Sequence, residues 1–164
     1  MAEVFSIKVY ITYFYHVRNL PAHAIPVSTA RFDPKWFHDF KGDRHIFIDR
    51  RGVYNGLALR ELAPSPALPS CKNCMIAGTV ERSGCAFLKG YKEQIRQLDF
   101  QRILSQFSSL CDFVKSERKF DADPYIVLLV YEKPDNPCSE RVPLMEWFSE
   151  NGSALEEWSP TLQI

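Results

Sequence analysis

Cys138, Ser139 and Arg141 stand at the end of a short polar stretch, Glu132 to Arg141, that contains Pro134 and Pro137 and follows the most apolar run of the chain. If a helix begins there, its free backbone N–H groups and dipole favour an anion, and Arg141 adds a bidentate contact to phosphate or carboxylate. The same setting stabilises a thiolate, which makes Cys138 a candidate nucleophile, with Glu132 as a second candidate catalytic group and His16 as the nearest base. Further cations stand where two other apolar runs finish: Arg18 after the first, Arg31 and Lys35 after the second. Trp36 beside them offers a stacking face for a base. Together, Arg18, Arg31, Lys35, Trp36, Ser139 and Arg141 describe a binding site for an anionic, nucleotide-like or phosphate-bearing small molecule. The alternative is structural: Arg31 pairs with Asp33 or Glu132, Trp36 joins the core, and Ser139 or Asn136 caps a helix.

A second constellation is Cys71, Cys74 and Cys85, spaced C-x2-C-x10-C in a loop with little else to hold it together. Thiolates at such spacing suit zinc, or less readily an iron–sulfur cluster, and a structural zinc takes four ligands. The fourth would be His38, His45, Cys138 or water, because the helical spacing of Cys111 with Phe107 and Val114 points it inward. A third group, Arg44, Arg50, Arg51 and Arg60 with Phe47 and Tyr54, interleaves cations and aromatics as a nucleic-acid-binding or other non-enzymatic interaction module would. Lys plus Arg and Asp plus Glu balance at 20 each, so the strong positive field of a nonspecific nucleic-acid binder is absent, and an anionic small molecule is the preferred partner. No Gly-rich phosphate loop, GxSxG elbow or HExxH motif is present, which removes several common enzyme classes.

These residues need a scaffold, and 164 residues suffice for one domain that removes roughly 70% of its unfolded surface from water. Apolar residues at 46% and charged residues at 24% are those of a packed globular chain. The start of the chain shows no basic leader before an apolar run, and no stretch approaches membrane-spanning length, so a cytoplasmic, membrane-free protein is expected. Five cysteines, an odd number with three crowded together, fit metal or thiol chemistry in a reducing compartment better than a disulfide framework.

Ser6 to Tyr15 reads as a buried strand from its β-branched and aromatic residues, and Ala24 to Ala30 and His45 to Asp49 read as two more. Asp33 before Pro34 looks like a helix cap and first position, and Asn55 before Gly56 like a turn. From about 63 to 86 the prolines and glycines predict a cysteine-bearing surface insertion. Helical periodicity then runs from Phe87 to Leu98 and from Phe100 to Val114, with Asp99 placed to cap the second helix. Tyr125 to Tyr131 has the composition of a central strand covered on both faces. A last helix is expected from Pro137 to Ser139 onward, stopping near Gly152. Strands separated by helices predict a single three-layer α/β domain, its sheet mostly parallel or mixed with helices on both faces. In such a sheet the strands' polar followers converge beyond their carboxyl ends, where ligands bind.

Three segments carry a family resemblance. Residues 126–152, IVLLVYEKPDNPCSERVPLMEWFSENG, combine an apolar strand, a Glu, a Pro-containing loop, and a Cys and Arg opening a helix with a Trp. STARFDPKWF from Ser28 to Phe37 adds a small-residue, Arg, Pro, Lys, Trp element, and Leu62–Ser65 with Phe87–Tyr91 frame the cysteine-bearing insertion. In these segments the chain resembles the domain-of-unknown-function family 488, in a branch with such an insertion. Ser139 stands where many members have His. The resemblance implies an α/β fold and no particular reaction.

Overall fold

Six consecutive residues, Tyr125–Val130, are all buried, because they form a strand with neighbours on both edges and side chains packed on both faces. The computed structural model describes residues 7–39, 54–69, 85–119, 121–136 and 139–161. Among these, strands β1 (Val9–Tyr13), β2 (Ala24–Ser28), β3 (Phe37–Asp39), β4 (Tyr54–Ala58), β5 (Tyr125–Val130) and β6 (Glu156–Glu157) form a sheet in the order β3-β4-β2-β5-β1-β6. Every neighbouring pair is parallel. The fold is therefore α/β, as the alternation of apolar runs and helical periodicity leads one to expect.

Successive side chains of a strand point to opposite faces, and the two faces carry separate apolar clusters. Val9, Ile11, Ile25, Val27, Ile126, Leu128 and Val130 face helices α1 (Ala86–Arg96), α2 (Phe100–Arg118) and α3 (Arg141–Glu150). Tyr10, Ala24, Tyr125, Val127 and Leu129 face the other way, where among the described residues Phe14 and Val17 of a 3-10 helix (Phe14–Asn19), Phe37 and Trp158 cover them. Burying each large aliphatic side chain contributes about 1.5–3 kcal/mol, so the central strand is the main apolar anchor. On the α-helical side, Phe100 stands edge-on to both Trp147 and Phe148 at 5.0 Å. Outside that core, Lys92 and Arg96 of α1 pair with Glu146 and Glu150 of α3.

Several local expectations are met, and others are corrected. Asp99 caps α2, its carboxylate accepting from the Arg102 N–H at 3.2 Å. β1 stops at Tyr13, and Tyr15 belongs to the 3-10 helix that follows. No helix follows Asp33 and Pro34, because the Asp33 carboxylate is engaged by the Ser28 hydroxyl and by Arg60 instead of by N–H groups ahead of it. Asn55 and Gly56 lie inside β4 and not in a turn. The insertion begins with buried residues, Ala63 and Pro64, rather than on the surface. The last helix starts at Arg141, with Glu140 as its N-cap, so position 138 precedes it. The strand expected at His45 to Asp49 lies outside the described residues. No helix among the described residues is long and apolar enough to cross a membrane.

Candidate functional site at the carboxyl edge of the sheet

β1, β5 and β2 are adjacent and parallel, with Tyr13 opposite Val130 and Ser28 opposite Leu129. Whatever follows these strands meets at one edge. The convergence expected of His16, Arg18, Arg31, Lys35 and Glu132 is thus met at the level of topology. Thr29 ties the edge together, its N–H and its hydroxyl both donating to the Leu129 carbonyl at 3.1 and 2.9 Å.

Two of the expected ligand cations are engaged within the protein. Arg31 donates from Nε to the Pro64 carbonyl at 3.2 Å and from Nη2 to the Ser65 carbonyl at 2.7 Å, clamping the segment after β2 to the start of the insertion. Arg60 closes the same clamp from the other side, through the Ala30 carbonyl and Asp33. Arg141 is 4% exposed. It donates to the Glu132 carbonyl at 3.0 Å and forms an ion pair with Glu157 of β6. Ser139 is fully buried and its hydroxyl accepts from the Arg141 N–H at 3.1 Å; it is engaged within the protein, but the N-cap position of the helix belongs to Glu140 and not to Ser139 as the structural alternative had it. Trp36 is half-buried, edge-on to Phe14 at 6.1 Å.

Outside this frame lies a surface that the sequence did not single out. Tyr15, Phe32 and Tyr131 follow β1, β2 and β5 and are 57%, 74% and 50% exposed. The Tyr131 hydroxyl donates to the Phe32 carbonyl at 2.6 Å, and its ring packs 4.8 Å from Phe14. The guanidinium of Arg18 lies over the Tyr15 ring at 5.0 Å, a cation–π contact. Arg18, Lys35 and Lys133 are exposed. The signal available in the sequence was position: Tyr15 and Tyr131 end apolar runs and immediately precede His16 and Glu132. No family model, curated protein or solved structure matches the chain.

Beneath the aromatic surface is a polar cluster. His16 Nδ1 lies 2.9 Å from the hydroxyl of buried Thr12, and its ring packs on Tyr13 and Trp158. Burial, and then the charge of Arg141, lower its pKa, so the imidazole is neutral at physiological pH. Glu140 faces Glu132; burial first, and then the Glu132 charge, push its carboxyl up to about 8. Glu157 is raised by burial, against the opposing pull of Arg141. Glu132 was expected as a catalytic group; the structure places it in this carboxyl pair, with Arg141 bonded to its carbonyl.

Cys138, the expected nucleophile, lies outside the described residues, as do Cys71 and Cys74 of the expected zinc set and Arg44, Arg50 and Arg51 of the basic group. Cys85 is buried at the N-terminus of α1. Among the described residues no group of three or more His, Cys, Asp or Glu side chains is arranged to hold a metal ion.

Proposed function

We propose that the carboxyl edge of the sheet binds an anionic, ring-bearing ligand of the nucleotide class, with its ring against Tyr15, Phe32 or Tyr131 and its phosphate near Arg18, Lys35 and Lys133. One observation carries the reading: three adjacent parallel strands each deliver an exposed aromatic side chain to the same edge. Exposed aromatics beside cations are what base stacking requires, and stacking is worth about 1–3 kcal/mol per base. Arg31 and Arg141 then shape the edge from within and do not touch the ligand.

The second reading is a non-enzymatic module that binds single-stranded nucleic acid or another protein. It is favoured by the internal pairing of Arg31 and Arg141, which leaves an open aromatic surface in place of an arginine-lined pocket. Calorimetric titration with adenosine monophosphate, inorganic phosphate and oligothymidylate separates the two. The nucleotide reading expects the monophosphate to bind, inorganic phosphate to bind more weakly, and Phe32→Ala to weaken the monophosphate roughly tenfold. Binding of the oligonucleotide alone transfers the edge to the module reading, and no binding by any of the three overturns the proposal.

A further inference from the structure

The binding reading leaves the cluster beneath the aromatic surface without a role. Glu132 stands just past the end of β5 and Glu140 just before α3. One oxygen of each carboxyl, Oε2 in both, is buried and has no hydrogen-bond partner among the described residues. Two ionised carboxylates facing each other in that position would each carry uncompensated charge, which a protein interior tolerates poorly. The nearest cation does not resolve this, because Arg141 is paired with Glu157 and donates its remaining hydrogen bonds to the Glu132 carbonyl and to Ser139. Three carboxyl groups therefore share one guanidinium. From α1, the buried Tyr91 hydroxyl faces Glu140 but donates to the Leu62 carbonyl. After β1, His16 faces Arg141 and is kept neutral.

We propose that Glu132 and Glu140 hold one proton between them, as an O–H···O bond that ties the end of β5 to the start of α3, and that losing this proton to solvent loosens the junction as pH rises. The device does not depend on the binding proposal, and its readout needs no ligand. The raised Glu140 carboxyl supplies the window. The folded protein keeps a proton that the unfolded chain releases, so stability declines as pH rises from about 4.5 to about 8 and levels off above. Glu157 acts in the same direction, whereas His16, lowered by folding, acts in the opposite one near its ordinary value. The test is therefore a difference between proteins.

Thermal unfolding of the parent and of Glu140→Gln, which keeps a donor but cannot ionise, is followed from acid to alkaline pH. One linked proton changes the folding equilibrium tenfold per pH unit, or roughly 3–5 °C in Tm for a chain of this size. The parent's Tm should fall by that amount relative to the variant for each pH unit within the window. Parallel profiles would overturn the proposal. Should the variant fail to fold, carboxyl carbon shifts of glutamate-labelled parent protein give the same answer. One glutamate titrating above neutrality is the expected result, and all glutamates titrating in the ordinary acidic range is the contrary one.

Discussion

Replacing Arg141 with alanine separates a structural arginine from a ligand-binding one. The Arg141 side chain is 5% exposed and that of its partner Glu157 27%; the guanidinium also donates to the Glu132 carbonyl at 3.0 Å. Removing it leaves a largely buried carboxylate without its cation, which typically costs about 3–5 kcal/mol. The lower end applies, because Glu157 keeps some contact with water and escapes part of the penalty by taking up a proton. A loss of about 3 kcal/mol is a large share of the 5–15 kcal/mol that holds a typical domain together, and it corresponds to a fall of roughly 6–12 °C in Tm. Thermal and urea unfolding at neutral pH measure it. Adding Glu157→Gln to the alanine variant should restore part of the loss, since the two residues are coupled. The deficit should also narrow in acid: without Arg141, the folded-state pKa of Glu157 rises further, so the unpaired charge vanishes as pH falls. If Arg141→Ala melts within about a degree of the parent, less than 1 kcal/mol was at stake. The guanidinium would then not be structural, and its assignment away from the ligand would be wrong.

Two glycines make opposite predictions. A Cβ on Gly56 would sit 2.5 Å from the Pro26 carbonyl oxygen and 2.6 Å from the Phe37 ring, so Gly56→Ala should destabilise by about 1–3 kcal/mol by forcing β2 and β4 apart. On Gly90 it would meet only the Leu68 side chain, its terminal carbon at 2.6 Å, a group able to turn aside, so Gly90→Ala within α1 should be neutral or stabilising by up to about 1 kcal/mol. Urea midpoints for the pair test the reasoning, and equal effects would contradict it. Cys111 has its thiol pushed up to about 12, by burial and then by Asp112, so it should resist iodoacetamide in the native protein at mildly alkaline pH and react once unfolded; mass spectrometry of the labelled peptide reads the outcome, and native labelling would show the thiol to be accessible.

What could be read in advance depended on how local the cause was. β5 was legible because burial on both faces requires an unbroken apolar run, and α1 and α2 because one apolar stripe meets the sheet. Asp99 was legible because capping is decided within three residues. Asp33 was misread for the complementary reason: its carboxylate bonds Ser28 and Arg60, and the second of these comes from a distant part of the chain. Asn55 and Gly56 resembled a turn, yet both lie in a strand, where Gly56 is needed because a carbonyl and a ring occupy the place a Cβ would take. The site divides in the same way. Parallel strands brought the expected cations to one edge, but Arg31 and Arg141 are hydrogen-bonded internally by carbonyls and a carboxylate distant in sequence, and Tyr15 and Tyr131, sited like core residues, face solvent.

The pairing of β1 with β5 also bears on how the chain can assemble. Val9 lies opposite Ile126, and β2 likewise finds its central neighbour only in β5. During synthesis the two early apolar strands therefore emerge long before the strand that joins them. Sheets closed by such distant partners are slow to form and expose unpaired edges meanwhile. The helices α1 and α2, whose hydrogen bonds are local in sequence, are free to form before β5 is made, but α1 packs on α3, which comes later still, so they cannot cover the waiting strands alone. Nascent chains arrested just before Tyr125 should accordingly be bound by chaperones, and those extended past Val130 should be released.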